Sequence, residues 1–209
     1  MSPSRPFVTL TFAQSLDGSI TRRRGEPLAL SGSESMKMTH RLRAEHEAIL
    51  VGIGTVLADD PSLTVRLVEG ENPQPIIVDS QLRCPLDARL IGRNCWIATT
   101  NQASQQQKQQ LESLGAKIIV LPSTEDGRVS LTALLDWLAE QSIHSLMVEG
   151  GARMIQQFLR ERLVDRVIVT IAPLFVGGLK SVGSLPENMI LQDVTYEQMG
   201  ADLVVSGRL

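Results

Sequence analysis

Apolar residues recur along this chain with two periods, and the switches between them mark out its elements. Residues 7–13 alternate apolar side chains with threonine, as a half-buried strand does. A loop over 15–25 follows, carrying Asp17-Gly18 and the run Arg22-Arg23-Arg24, which reads as a solvated face. Over 33–47, Met36, Thr39, Leu42 and Arg43 fall at helical spacing, with Ser33 or Ser35 able to cap the start. Short apolar runs predict strands over 48–52, 75–79, 95–99, 117–121, 144–148 and 167–171, with a shorter extended piece over 62–67. Helices are predicted over 102–114, glutamine-rich and stopped by Gly115, over 130–141, and over 151–162. The second of these buries a stripe of Leu131, Leu134, Leu135 and Leu138. The tail over 191–209 reads as a hairpin, with strands over 194–198 and 203–206 about a turn at Gly200-Ala201-Asp202.

Strands that alternate with helices and end in a hairpin predict an α/β fold: a mainly parallel central sheet flanked by helices, with a C-terminal antiparallel hairpin at its edge. At 209 residues, 43% of them hydrophobic and 21% charged, the chain can bury a full core in one domain, expected to span 1–209. A net charge of −3 argues against bulk attraction to nucleic acid and suits a small ligand held by a few placed arginines. No apolar run approaches the roughly 18 residues of a membrane span. The start lacks the apolar stretch of a signal peptide, so a cytoplasmic, reduced protein is expected, with Cys84 and Cys95 as free thiols. Those two cysteines and His40, His46 and His144 form no metal-ligand spacing. The histidines read as ordinary surface or helix residues, and Trp96 and Trp137 as core.

Two stretches carry candidate chemistry. The run from Ala48 to Arg66 places glycines, Thr55, Asp59, Asp60 and Arg66 just beyond a buried strand, where α/β proteins keep their sites. Asp59-Asp60-Pro61 is also a common turn opener, so cap and turn roles compete with chemistry there. The second stretch is Glu149-Gly150-Gly151-Ala152, a carboxylate at a strand end followed by glycines that open a helix. Unpaired N–H groups at such a start favour phosphate, although a diglycine is equally the mark of a tight turn.

Together these residues carry a family resemblance. Ala13-Gln14-Ser15-Leu16-Asp17-Gly18, Leu42-Arg43-Ala44, Gly54 to Pro61 with Leu63-Thr64-Val65-Arg66, Val78-Asp79-Ser80, Glu149-Gly150-Gly151 and Ala172-Pro173 occur in the order seen in the pyrimidine reductases of riboflavin biosynthesis. The chain resembles that family over nearly its whole length, and the run from Thr55 to Arg66 is the specific part. The resemblance implies a dihydrofolate-reductase-like fold, a homodimer, and NADPH reducing the ribose of a ribosylaminopyrimidine 5′-phosphate to the ribityl chain. It implies substrate contacts from Arg43, Leu63, Arg66 and Glu149, and cofactor contacts from Ala13, Thr55, Asp59, Ser80 and the stretch Gly150, Gly151, Ala152, Arg153, Met154. Arg83, just past Ser80, is expected to meet the 2′-phosphate. Asp59 and Glu149 are the candidate catalytic carboxylates, and the residues leave open which one supplies the proton.

The zinc deaminase fused to most bacterial members is not expected, since no His-x-Glu or Pro-Cys-x-x-Cys segment occurs. Fused members usually have lysine at the place of Thr11, and a Ser-x-Trp piece at the place of Pro27-Leu28-Ala29. Residues 30–40 look more like the stand-alone fungal and archaeal reductases, which act on the 2,5-diamino-pyrimidinone rather than the 5-amino-uracil. Sequence leaves both substrates open. The competing readings are a reductase of the same fold acting on a pterin, a dihydrofolate or another small carbonyl compound, and a non-catalytic nucleotide binder.

Overall fold

The computed structural model describes residues 5–209, so residues 1–4 of the start read above for a leader lie outside it. Its elements are β1 (Phe7–Ser15), β2 (Ser19–Thr21), α1 (Ser33–Glu45), β3 (Ala48–Gly52), α2 (Ile53–Asp59), β4 (Gln74–Val78), β5 (Trp96–Thr99), α3 (Gln105–Ser113), β6 (Lys117–Val120), α4 (Leu131–Glu140), β7 (Ser145–Glu149), α5 (Ala152–Arg160), β8 (Arg166–Ala172), β9 (Leu179–Lys180), β10 (Gln192–Met199) and β11 (Asp202–Arg208). Among the described residues the main sheet has nine strands in the order β10-β11-β8-β1-β7-β3-β4-β5-β6. Every neighbouring pair from β8 to β6 is parallel, while β11 runs antiparallel to β8 and β10 antiparallel to β11. The expected parallel sheet with a C-terminal antiparallel hairpin is what forms.

Alternation along the central strands sends neighbouring residues to opposite faces, and each face carries its own core. On one, Val8, Leu10, Leu50, Ile76, Leu146 and Val148 pack with Leu131, Leu134, Leu135 and Leu138 of α4 and with Ile155 and Phe158 of α5. On the other, Ile49, Val51, Ile77, Ile97 and Met147 pack with Met38 and Leu42 of α1 and Leu111 of α3. All four α4 leucines are buried, as their spacing requires, and each contributes about 1.5–3 kcal/mol by leaving water. Ser130 caps that helix by accepting from the Ala133 N–H at 3.2 Å.

Several expectations change. The extended piece over 62–67 pairs with no strand: Asp60 and Leu63 take left-handed backbone (φ 38° and 50°), which breaks any continuous extension. The stretch just before it contains a helix, α2, that short apolar runs and glycines concealed. The loop over 15–25 contributes β2, which pairs with β9. Neither Ser33 nor Ser35 caps α1. The cap is Gly32, whose N–H donates at 2.7 Å to Asp202 Oδ2 from the hairpin turn, and buried Ser35 donates to the same oxygen. Trp96 and Trp137 are only half-buried, packed edge to face at 5.1 Å with the Lys117 ammonium over both rings.

Parallel pairing has a consequence for function. The strands β4, β3, β7, β1 and β8 end at the same edge of the sheet, so the loops leaving Val78, Gly52, Glu149, Ser15 and Ala172 rise side by side.

Candidate active site

Thr11 of β1 lies in register with Glu149 of β7, and β7 lies against β3 with Leu50 level with Val148. The acid-containing corner after β3 and the diglycine bend after β7 are thereby neighbours. Two close approaches measure how near. A Cβ on Gly52 would stand 2.8 Å from Met154 Cγ, and one on Gly151 would stand 2.9 Å from Thr55 Oγ1. Gly150 and Gly151 take φ of +84° and +83°, which only glycine adopts without strain. Around Gly150 no atom lies within 4 Å of where a Cβ would be, so its backbone is open to a ligand. Helix α5 starts there with no side-chain cap and no acidic residue in its first turn, and with Arg153 exposed. These are the features a phosphate-bearing cofactor requires of a helix start.

Arg43 and Glu149 meet at the same edge. Arg43 Nε donates to Glu149 Oε2 at 3.0 Å and Nη2 to Oε1 at 2.6 Å, while Nη1 donates to the Thr64 carbonyl at 3.0 Å. Both side chains are largely buried, at 10% and 20% exposure, so the pair is a fixed polar patch rather than a surface contact. The Thr64 hydroxyl accepts from Arg66 Nη1 at 3.2 Å, which brings the exposed second arginine alongside the first.

The acidic pair after α2 divides its work. Asp60 is structural: its left-handed backbone closes α2, its Oδ1 accepts from the Arg89 N–H at 2.9 Å, and its Oδ2 lies 3.3 Å from Arg89 Nε. The Asp59 side chain is exposed and makes no hydrogen bond or ion pair among the described residues, and the partial desolvation imposed by its neighbours raises its pKa above the ordinary carboxylate value. A carboxyl without an internal partner and with a raised pKa is suited to hold or pass a proton.

Other sequence-predicted residues are placed differently. Leu63 and Met154 have buried side chains, packed in the cores below the edge, so only their backbone is free to meet a ligand. Ala13 lies near the end of β1, beside Thr170 of β8. Ser80 and Arg83 follow β4 and share no hydrogen bond or ion pair with α2 or the diglycine bend. The Ser80 hydroxyl accepts from the Val129 N–H at 3.1 Å, and Arg83 Nε sits 3.7 Å from Asp79 Oδ1. Asp79 is fully buried, and that burial raises its pKa against the lowering effect of the Cys84 N–H and Arg83.

Two residues given no chemistry above support the site. His40 is buried, not a surface residue, and its Nδ1 accepts from the Arg66 N–H at 2.8 Å and the Leu67 N–H at 3.4 Å. Its place three residues before Arg43 on α1 was the available signal. Asp17 accepts from Ser15 Oγ (2.5 Å), Ser19 Oγ (2.7 Å), the Val176 and Gly177 N–H groups (2.9 and 3.0 Å) and Lys180 Nζ (2.9 Å), which fastens the loop after β1 to the one after β8.

The sequence model of the RibD C-terminal domain matches residues 6–205. The chain belongs to this family. Among RibD-family relatives, the chain is 38% identical to a 2,5-diamino-6-ribosylamino-4(3H)-pyrimidinone 5′-phosphate reductase of Archaeoglobus fulgidus, over 85% of this chain and 84% of that one. It is 36% identical to the riboflavin biosynthesis protein RibD of Aquifex aeolicus, over 98% of this chain but only 58% of that longer one. The solved structure of the Saccharomyces riboflavin biosynthesis reductase Rib7 superposes with a TM-score of 0.79 at 33% identity, covering 98% of this chain and 90% of that one. Dihydrofolate reductase of Enterococcus faecalis, at 12% identity and a TM-score of 0.57, shares the fold alone. The RibD C-terminal fold is thus dihydrofolate-reductase-like in this chain too. No helix among the described residues is long and apolar enough to cross a membrane.

Proposed function

We propose that this chain is the NADPH-dependent reductase of riboflavin biosynthesis that reduces the ribosyl group of 2,5-diamino-6-ribosylamino-4(3H)-pyrimidinone 5′-phosphate to a ribityl chain. The observation that carries the reading is the junction at one sheet edge of an open, uncapped diglycine helix start with the Arg43–Glu149 pair. The names of the archaeal relative and of Rib7, and the coverage of both, support it.

NADPH supplies the hydride when bound; the protein supplies placement and charge. The backbone from Gly150 to Met154, with exposed Arg153 and with Thr55 against Gly151, suits the cofactor phosphates. Ala13, Ser80 and Arg83 are assigned to the rest of the cofactor, with Arg83 toward the 2′-phosphate that distinguishes it. Arg66, exposed beside Arg43, is the cation for the substrate 5′-phosphate. Glu149, held in one orientation by Arg43, accepts hydrogen bonds from the amino groups of the pyrimidine. Its register neighbour on β1, Thr11, is buried and neutral, so no second cation stands beside Glu149 on that strand. Asp59, with its raised pKa, is the group placed to give a proton as the ribose ring opens.

The test is direct. The purified chain is mixed with NADPH and, separately, with the diamino-pyrimidinone and the amino-uracil ribosyl phosphates, and the absorbance of the reduced cofactor is followed. Oxidation is expected with the diamino compound foremost; none with either compound overturns the reading. We also assign the chain to a cytoplasmic homodimer. Strand β10 is the outer edge of the sheet and leaves Tyr196 71% exposed, an edge a second copy would cover. Sedimentation at the mass of one chain would refute the dimer.

A further inference from the structure

His40 is the one histidine of the chain that is fully buried; it bonds the Arg66 backbone and lies three residues before Arg43 on α1. Two backbone N–H groups point at its Nδ1, so that nitrogen must carry a lone pair and the ring proton must sit on Nε2. The segment it holds has no regular secondary structure. Residues 61–73 belong to no strand or helix; besides the buried Leu63 side chain, their fixed points are Arg43 on the Thr64 carbonyl, Asn72 Oδ1 accepting from the Val65 N–H at 2.7 Å, Arg93 on the Ser62 and Pro73 carbonyls, and His40 on Arg66 and Leu67. Of these, only His40 can change its charge near neutral pH. We propose that His40 is a positioning residue for substrate binding: the neutral imidazole pins the backbone of Arg66 so that its guanidinium meets the substrate phosphate, and protonation of Nδ1 releases it.

The charged groups acting on the ring are Arg43 from its own helix and Arg66 from the segment packed over it; Glu149 of β7 is taken up by Arg43. Burial, then Arg43, then Arg66, hold the pKa of His40 below its ordinary value of 6.5, so the neutral, accepting form prevails at neutral pH. Protonation would put a hydrogen on Nδ1 facing two N–H donors and add a third positive charge beside two guanidiniums. The cofactor half of the site shares none of these bonds, so its affinity is independent of His40.

The inference rests on the proposed role of Arg66, and its experiment separates the two. Amide hydrogen exchange of the peptide covering 62–70 needs no substrate. In the wild type, protection at Arg66 and Leu67 is expected to fall as pH drops through the lowered pKa of His40, on the acid side of 6.5; in His40→Asn it is expected to stay level, because asparagine places Oδ1 where Nδ1 was and does not titrate. Steady-state kinetics then tests the consequence. The KM for the ribosylaminopyrimidine phosphate is expected to rise on the acid side more steeply in the wild type than in His40→Asn, while kcat and the Kd for NADPH, read by cofactor fluorescence, stay together in the two proteins. The phosphate of the substrate titrates near pH 6 as well, but equally for both. In His40→Leu the KM is expected to rise at least tenfold at every pH with NADPH affinity unchanged. Equal exchange profiles, or equal acid limbs of KM, in wild type and His40→Asn would overturn the role of His40. A wild type that shows the exchange difference but oxidises no cofactor would overturn the proposed activity and leave the positioning role standing.

Discussion

Arg43 grips Glu149 with two parallel hydrogen bonds of 3.0 and 2.6 Å, joining α1 to the end of β7 across 106 residues of chain. A largely buried pair of this kind is costly to break from one side, because the remaining charge is left without its partner. In a cycle of Arg43→Met, Glu149→Gln and the double variant, urea unfolding is expected to give a coupling of roughly 0.5–3 kcal/mol, the range for side chains in contact. Strictly additive single effects would mean the two do not depend on each other. Turnover is expected to fall at least tenfold in Glu149→Gln even where the fold survives, since the amide offers one acceptor oxygen in place of two.

The neighbouring carboxylates Asp59 and Asp60 should separate cleanly by mutation. Partial desolvation raises the pKa of Asp59, so its ionised form carries a cost to folding that grows above pH 3.8 and is complete above the raised value; because the side chain is exposed, solvent screening keeps that cost small. Asp59→Asn is therefore expected to keep or slightly raise the thermal midpoint while slowing turnover tenfold or more, a barrier change of about 1.4 kcal/mol. Asp60→Asn removes the ion pair with Arg89 but keeps a side chain that tolerates the left-handed backbone, so near-normal turnover is expected. Wild-type rates in Asp59→Asn would return that residue to a turn role.

The difference between what was legible and what was not lies in the range of the interactions. The α4 leucines and the apolar runs of β3 and β4 fall correctly because burial at a fixed period is written locally. Helix α2 leaves no pattern in the sequence because its seven residues, opened by glycine, cannot show two turns of period. The cap of α1 is not one of the local serines because the acceptor that fixes it, Asp202, lies 170 residues from Gly32. For the site, ordered motifs pointed to Arg43, Asp59, Glu149 and the diglycine, but not to the pairing of Arg43 with Glu149 or the burial of His40. The first needs β7 to lie between β1 and β3, a strand order no short stretch contains, and the second needs residues 66–67 to fold back onto α1.

Gly151 offers a steric test of the shared cleft. A methyl group there meets Thr55 Oγ1 at 2.9 Å and sits on a backbone with φ of +83°. Gly151→Ala is expected to lose about 1–3 kcal/mol of stability from the backbone alone, because φ 83° with ψ 118° lies outside the regions other residues favour, and at least tenfold in NADPH affinity. Adding Thr55→Gly should recover part of the affinity by removing the clash, though not the backbone strain. Gly150→Ala, with φ of +84° and open space around it, should show the strain without a response to Thr55→Gly. Identical responses of the two glycine variants to the second substitution would argue that the α2 corner and the α5 start do not share a wall.

Asp17 gives a prediction with a defined pH window. Hydrogen bonds from Ser15, the Val176 N–H, Lys180 and Ser19 hold its carboxyl well below the ordinary value of 3.8. With a folded pKa below the unfolded one, the stability it contributes is complete above 3.8 and is lost as pH falls toward the folded value. Asp17→Asn keeps one acceptor oxygen but loses the charge that binds Lys180 and the second oxygen that serves Gly177 and Ser19. Its thermal midpoint is expected to lie below that of the wild type by a constant interval from pH 8 to about pH 5, with the two curves converging as the solution is made more acid than 3.8. A gap that persists undiminished at pH 2.5–3 would show that the loss comes from shape rather than charge. Because Asp17 ties Ser15, at the end of β1, to Val176 and Gly177, the same variant should loosen the wall beside Glu149, seen as faster proteolysis in 174–181 before any global unfolding.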